Sequence, residues 1–75
     1  MVKADKTLDI TGTITPRAEM LTRATLSAMA PGRVLTVVTT DRSAGPKLTS
    51  LCANLGCTLL ELREDGGTFT IHIRK

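Results

Sequence analysis

The chain has no tryptophan and no tyrosine, and its one phenylalanine is Phe69. Recognition of single-stranded nucleic acid by stacking bases on aromatic rings therefore has almost nothing to work with. The core has to be built from Leu, Ile, Val, Met and Ala. Histidine is represented by His72 alone, and the two cysteines, Cys52 and Cys57, follow a C-x4-C spacing with no second pair. That is not a zinc signature, so no metal and no cofactor are expected. No run approaches the roughly 18 apolar residues of a membrane span. The opening Met1-Val2-Lys3-Ala4-Asp5-Lys6 lacks the apolar centre of a secretory signal. The expected location is the cytoplasm, where both thiols stay reduced.

What is present is a short, mildly basic chain. Its 75 residues make one domain, residues 1–75, with residues 1–6 expected as a flexible lead-in. A domain of this size buries only roughly 60% of its unfolded surface, so weak homo-oligomerisation would help it. Ten Lys and Arg against seven Asp and Glu give a net charge of +3. The basic residues are spread along the chain, which reads as a solvated surface and argues against a nucleic-acid patch.

The organising stretch runs from Leu8 to Leu21. Lys6 to Ile10 reads as a strand with Leu8 and Ile10 on one face, followed by a tight turn at Gly12. Thr15 is suited to cap the next helix, since its hydroxyl can accept a bond from an orphan helical N–H. Pro16 then falls at the first helical position, where its missing N–H costs nothing. The helix is expected from about Pro16 to Met29, stopped by Ala30-Pro31-Gly32. It carries two candidate apolar stripes: Leu21, Ala24 and Ala28 with Met20, or Ala18, Thr22, Thr25, Leu26 and Met29. Val34 to Thr40 is β-branched, apolar on both faces at its centre, and reads as an interior strand.

A polar turn from Asp41 to Pro46 offers Asp41 or Ser43 as a cap. In the helix after it, Leu48, Leu51, Cys52 and Leu55 fall at i, i+3, i+4 and i+7, and Gly56 marks the stop. Thr58 to Glu64 is expected as a strand with Leu60 and Leu62 inward. Asp65-Gly66-Gly67 is a hairpin turn, and Thr68 to Arg74 alternates with Phe69, Ile71 and Ile73 inward and His72 outward, simply solvated. The order βαβαββ gives an α/β chain of the α+β two-layer type. Two crossovers place both helices on one face of a four-stranded mixed sheet.

These residues carry a resemblance. The chain resembles the TusA or SirA-like sulfur carriers over nearly its whole length. That family reads as a strand L-D-x-R-G, two residues, then C-P-x-P opening the first helix. A P-G turn, an aspartate pair with proline, a helix with a cysteine, and a hairpin closing on I-R-K follow. Here Leu8-Asp9, Gly12, Pro16, Pro31-Gly32, Asp41, Cys52 and Ile73-Arg74-Lys75 match. The departures sit together: Thr15 stands at the family's sulfur-bearing cysteine, Ala18 at its second proline, Thr11 at the strand arginine and Arg42 at the later proline.

In the family, as the resemblance implies, a helix dipole lowers the thiol's pKa so that the thiolate can take and pass a sulfane sulfur. A threonine hydroxyl is a far weaker nucleophile and has no His or Lys nearby to activate it. The resemblance thus implies a member that binds sulfur-transfer partners, a desulfurase or a rhodanese-like protein, without carrying persulfide at the usual position. The alternative is an active carrier for tRNA or cofactor thiolation using Cys57 or Cys52. Cys57 lies past the Gly56 stop in a loop, whereas the phase of Cys52 is apolar and structural. Arg17, Arg42 and Lys47 would form a cationic rim for an acidic partner or anion if they gather near the first helix N-terminus. A third reading, an RNA- or ribosome-associated module, rests on fold similarity alone.

Overall fold

A computed structural model describes residues 4–13 and 15–75, for Thr15 the backbone only. The elements run β1 (Lys6–Asp9), α1 (Thr15–Ala28), β2 (Val34–Thr39), α2 (Ala44–Leu55), β3 (Thr58–Asp65) and β4 (Thr68–Arg74). The sheet order is β1-β2-β4-β3, with β1 parallel to β2 and β4 antiparallel to both of its neighbours. The expected βαβαββ order and mixed sheet are therefore present, with β2 interior as its β-branched run required.

One side of the sheet carries the core. Leu35 pairs with Ile73 and Val37 with Ile71, and all four are fully buried. Over them pack Ala18 and Leu26 from α1, and Ala44, Leu48, Leu51 and Cys52 from α2, with Ile10 closing one end. Of the two candidate stripes on α1, the one through Ala18, Thr22 and Leu26 is buried. Met20, Ala24 and Ala28 face outward, Met20 being 70% exposed. The buried Thr22 keeps its hydroxyl satisfied by donating to the Ala18 carbonyl at 2.8 Å.

Three expectations need correcting. In β3 the inward residue is Leu59, which packs on the core, while Leu60 falls at an irregularity between Leu59 and Glu61 where the register shifts. The extra residue breaks the strict alternation from which Leu60 was expected to point inward. Leu62 does lie on the helix side, near Gly45, but is 43% exposed because β3 is an edge. In α2, Leu55 is 40% exposed, one turn beyond the end of the buried stripe. His72 faces outward as expected, yet it is half-buried and its Nδ1 lies 2.8 Å from the Thr36 hydroxyl.

The ends of the helices and of β1 are tied individually. Gly56 adopts φ 73° and its N–H reaches the Ala53 carbonyl, while the Cys57 N–H reaches Cys52 at 2.9 Å. This pair of bonds is a Schellman stop. The Lys75 ammonium donates to the Ser27 and Met29 carbonyls at 3.2 and 2.6 Å, a cation at the C-terminal end of α1. Of the expected lead-in, residues 1–6, Asp5 is held by hydrogen bonds and Lys6 begins β1. The Asp5 N–H donates to Val34, and the Asp5 carboxylate accepts from the Val34 N–H at 2.8 Å and pairs with Arg33 at 3.3 Å. Met1–Lys3 lie outside the described residues.

Two substitutions separate packing from polarity in this core. Leu26→Ala is expected to cost about 2–5 kcal/mol in urea unfolding, through lost burial and the cavity left behind. Thr22→Val keeps the volume and removes a hydroxyl that bonds only within its own helix, so it should change stability by less than about 1 kcal/mol.

Candidate functional site

The parallel pair β1–β2 delivers two loops to one edge of the domain, and each loop starts a helix. The β1–α1 loop turns at Gly12, whose φ of 77° is open to glycine at little cost. Its N–H donates to the Thr40 hydroxyl at 3.1 Å, which joins it to the β2–α2 loop. Thr40 was not foreseen. Nothing in the local sequence marks a threonine at the end of one strand as the acceptor for a glycine 28 residues earlier.

The two loops use the same local device. The Asp9 carboxylate accepts from the Thr11 N–H at 3.0 Å and from its hydroxyl at 2.8 Å. The Asp41 carboxylate likewise accepts from the Ser43 N–H at 2.9 Å and its hydroxyl at 2.7 Å. Ser43 holds the position before α2 but makes no side-chain cap bond; instead the Asp41 backbone carbonyl takes the Ala44 N–H at 3.1 Å. The expected side-chain cap is thus replaced by a turn. The Asp9 carboxyl titrates below its ordinary value, chiefly because of the Thr11 N–H and then its hydroxyl. Thr11, which stands where the resemblance has an arginine, is turned inward upon its own loop.

α1 begins at Thr15, one residue earlier than expected, with Pro16 and Arg17 following in its first turn. The expected hydroxyl cap by Thr15 lies outside the described residues, as does Ile14. Arg17, Arg42 and Lys47 are all exposed, and the ion pairs among the described residues, Arg33–Asp5 and Arg63–Glu61, engage none of them. Lys47 lines an open groove of about 350 Å³ between α1 and α2. The groove's other walls are Glu19, Arg23, Pro46, Ser50, Leu51 and Asn54, so the cation opposite Lys47 is Arg23. With Met20 exposed on the same helix, Arg23 belongs with the residues to be tested, and the i, i+3 spacing of Arg17, Met20 and Arg23 was visible in the sequence.

The cysteines lie elsewhere, at the C-terminal end of α2. Cys52 is buried and Cys57 half-buried, and both are free thiols. Burial pushes the Cys52 thiol up to about 11, with the neighbouring Cys57 adding to the shift. No group of His, Cys, Asp and Glu among the described residues could hold a metal ion. No described helix is long and apolar enough to cross a membrane.

This geometry has known counterparts. A family model described as sulfurtransferase TusA matches residues 6–75. The chain belongs to the TusA family. It is 37% identical over 71 residues to the sulfur carrier protein TusA of Pseudomonas aeruginosa, covering 95% of this chain and 90% of that one. The TusA of Pseudomonas putida is 38% identical over 71 residues, with 95% and 89% covered. A crystal structure of a SirA-like protein from Desulfitobacterium hafniense superposes with a TM-score of 0.80 at 21% identity, over 92% of this chain and 95% of that one. The two-layer fold is therefore shared with a solved structure. Sulfur-carrier names are those of the relatives.

Two measurements check the site. In a carboxyl NMR titration, Asp9 should titrate below an ordinary aspartate, and Thr11→Val should return only part of that shift because the backbone N–H remains. The sign is that of a depressed carboxylate: its contribution is present above the unfolded pKa and is lost as pH falls through the folded one. At the turn, Gly12→Ala forces a left-handed backbone on a side chain and should cost roughly 1–2 kcal/mol.

Proposed function

We propose that this chain is a sulfur-relay family member that docks sulfurtransferase-type partners without carrying persulfide at the start of α1. The observation that carries the reading is Thr15. It stands where the family's motif has its sulfur-bearing cysteine, and an unactivated hydroxyl cannot take up a sulfane sulfur. The partners are of the desulfurase or rhodanese-like class, and the compartment is the cytoplasm.

The docking surface is the helix layer beside α1's first turn: Arg17, Arg42 and Lys47 of the expected rim, with Arg23 and Met20. The exposed charges of α1 and α2 are all positive, Glu19 being half-buried, which suits an acidic partner surface with room for a methionine. Transfer through Cys52 has little support, because a buried thiol with a pKa near 11 is almost wholly protonated at neutral pH. Cys57 is half-buried and packs against the core, and it holds the alternative reading of an active carrier. An RNA-binding role by base stacking would have only Phe69 to use, and that ring is half-buried in β4.

The test is intact-mass spectrometry of the wild type after incubation with a cysteine desulfurase and cysteine. The expected result is no added sulfur. A gain of one sulfur that disappears in Cys57→Ser would overturn the proposal in favour of the carrier. Docking is read separately: Arg23→Glu and Lys47→Glu should each weaken desulfurase binding at least about tenfold, with the wild-type affinity falling as salt rises.

A further inference from the structure

The free edge of the sheet at β3 has no part in the function proposed above. β3 is eight residues long, lies at the outer end of the strand order, and exposes Leu60 at 36% and Leu62 at 43%. Its hairpin determines which backbone groups face outward. Gly66 and Gly67 have φ of 60° and 88°, and Asp65 is paired with Thr68 across them, which is a two-residue loop of the type I′ class. In such a loop the closing pair exchanges both hydrogen bonds. The alternation along an antiparallel ladder then turns the N–H and C=O of Arg63 and Glu61 toward β4. Those of Leu62 and Glu64 are turned toward the free edge.

We propose that β3 pairs antiparallel with β3 of a second copy about a dyad at Leu62, joining the two four-stranded sheets into one. Only outward-facing residues can exchange backbone bonds across the new edge, so the symmetric registers near its centre have dyads at Glu61, Leu62 or Arg63. A dyad at Glu61 sets that carboxylate against its own copy. A dyad at Arg63 sets two guanidiniums together and leaves Glu61 opposite Asp65. The dyad at Leu62 alone places Glu61 opposite the partner's Arg63, twice over by symmetry.

Both side chains lie on the face opposite the helices, where Glu61 and Arg63 already pair at 3.1 Å. The second copy extends that pair into a cluster of four alternating charges. On the helix side, the two Leu62 side chains meet beside Gly45, covering apolar surface that a lone copy leaves in water.

Sedimentation equilibrium of the full chain with two charge-reversed variants tests the pairing. The wild type should show a reversible, concentration-dependent dimer, and Arg63→Glu and Glu61→Arg should each be monomeric because like charges oppose across the dyad. An equimolar mixture of the two variants should dimerise again, since an edge with two carboxylates meets an edge with two guanidiniums. Damage within one chain would not be rescued by mixing. In hydrogen exchange of the wild type, the Leu62 and Glu64 amides should gain protection as concentration rises, while those of Glu61 and Arg63 should not. A wild type that stays monomeric to about 1 mM overturns the proposal. So does a dimer untouched by Arg63→Glu, or a mixture of the variants that remains monomeric.

Discussion

The parallel pairing of β1 with β2 is the constraint on which the rest of the structure depends. β1 has four residues and an outer edge with no strand beyond it among the described residues, so its own ladder is a weak hold. It is secured at both ends by contacts outside the ladder. At one end Asp5 receives the Val34 N–H and the Arg33 guanidinium; at the other the Ile10 N–H reaches Val38 and the Gly12 N–H reaches Thr40. These bonds aim the chain into α1 and bring the starts of both helices to one edge of the sheet.

The second constraint is size. With one helical layer, only one face of the sheet can be dry. The residues there, Leu35, Val37, Ile71 and Ile73, are wholly buried, whereas the opposite face holds Thr36, His72, Glu61 and Arg63. Polar groups on that face satisfy one another, as Thr36 and His72 do. The edges are managed unequally. β1 is short and flanked by charge, but β3 is long and carries two exposed leucines, the edge on which the proposed self-pairing rests.

Much of this was legible in the sequence, and the failures have physical causes. Periodicity placed β2 and the buried stripe of α2 because Val34 to Thr39 and Leu48, Leu51 and Cys52 follow single, unmixed patterns. It could not choose between the stripes of α1, where Ala and Thr score alike on both sides and only packing against the sheet selects Ala18, Thr22 and Leu26. In β3 the inserted residue at Leu60 shifted the phase, and no local signal announces such a shift. At the site, Gly12 and Pro16 were visible as turn and helix start. The Thr11–Asp9 contact was hidden by its likeness to an ordinary loop, and the Thr40 acceptor by its distance along the chain.

In the proposed reading the scaffold of a sulfur carrier is kept and the thiol at the start of α1 is missing, with Thr15 in its place. Restoring that thiol is the most direct measurement. Thr15→Cys, incubated with a cysteine desulfurase and cysteine and read by intact mass, should gain one sulfur on the introduced thiol, while the wild type under the same conditions gains none. A Thr15→Cys chain that folds and still takes up no sulfur would contradict the account. It would show that docking, and not the nucleophile alone, has been lost.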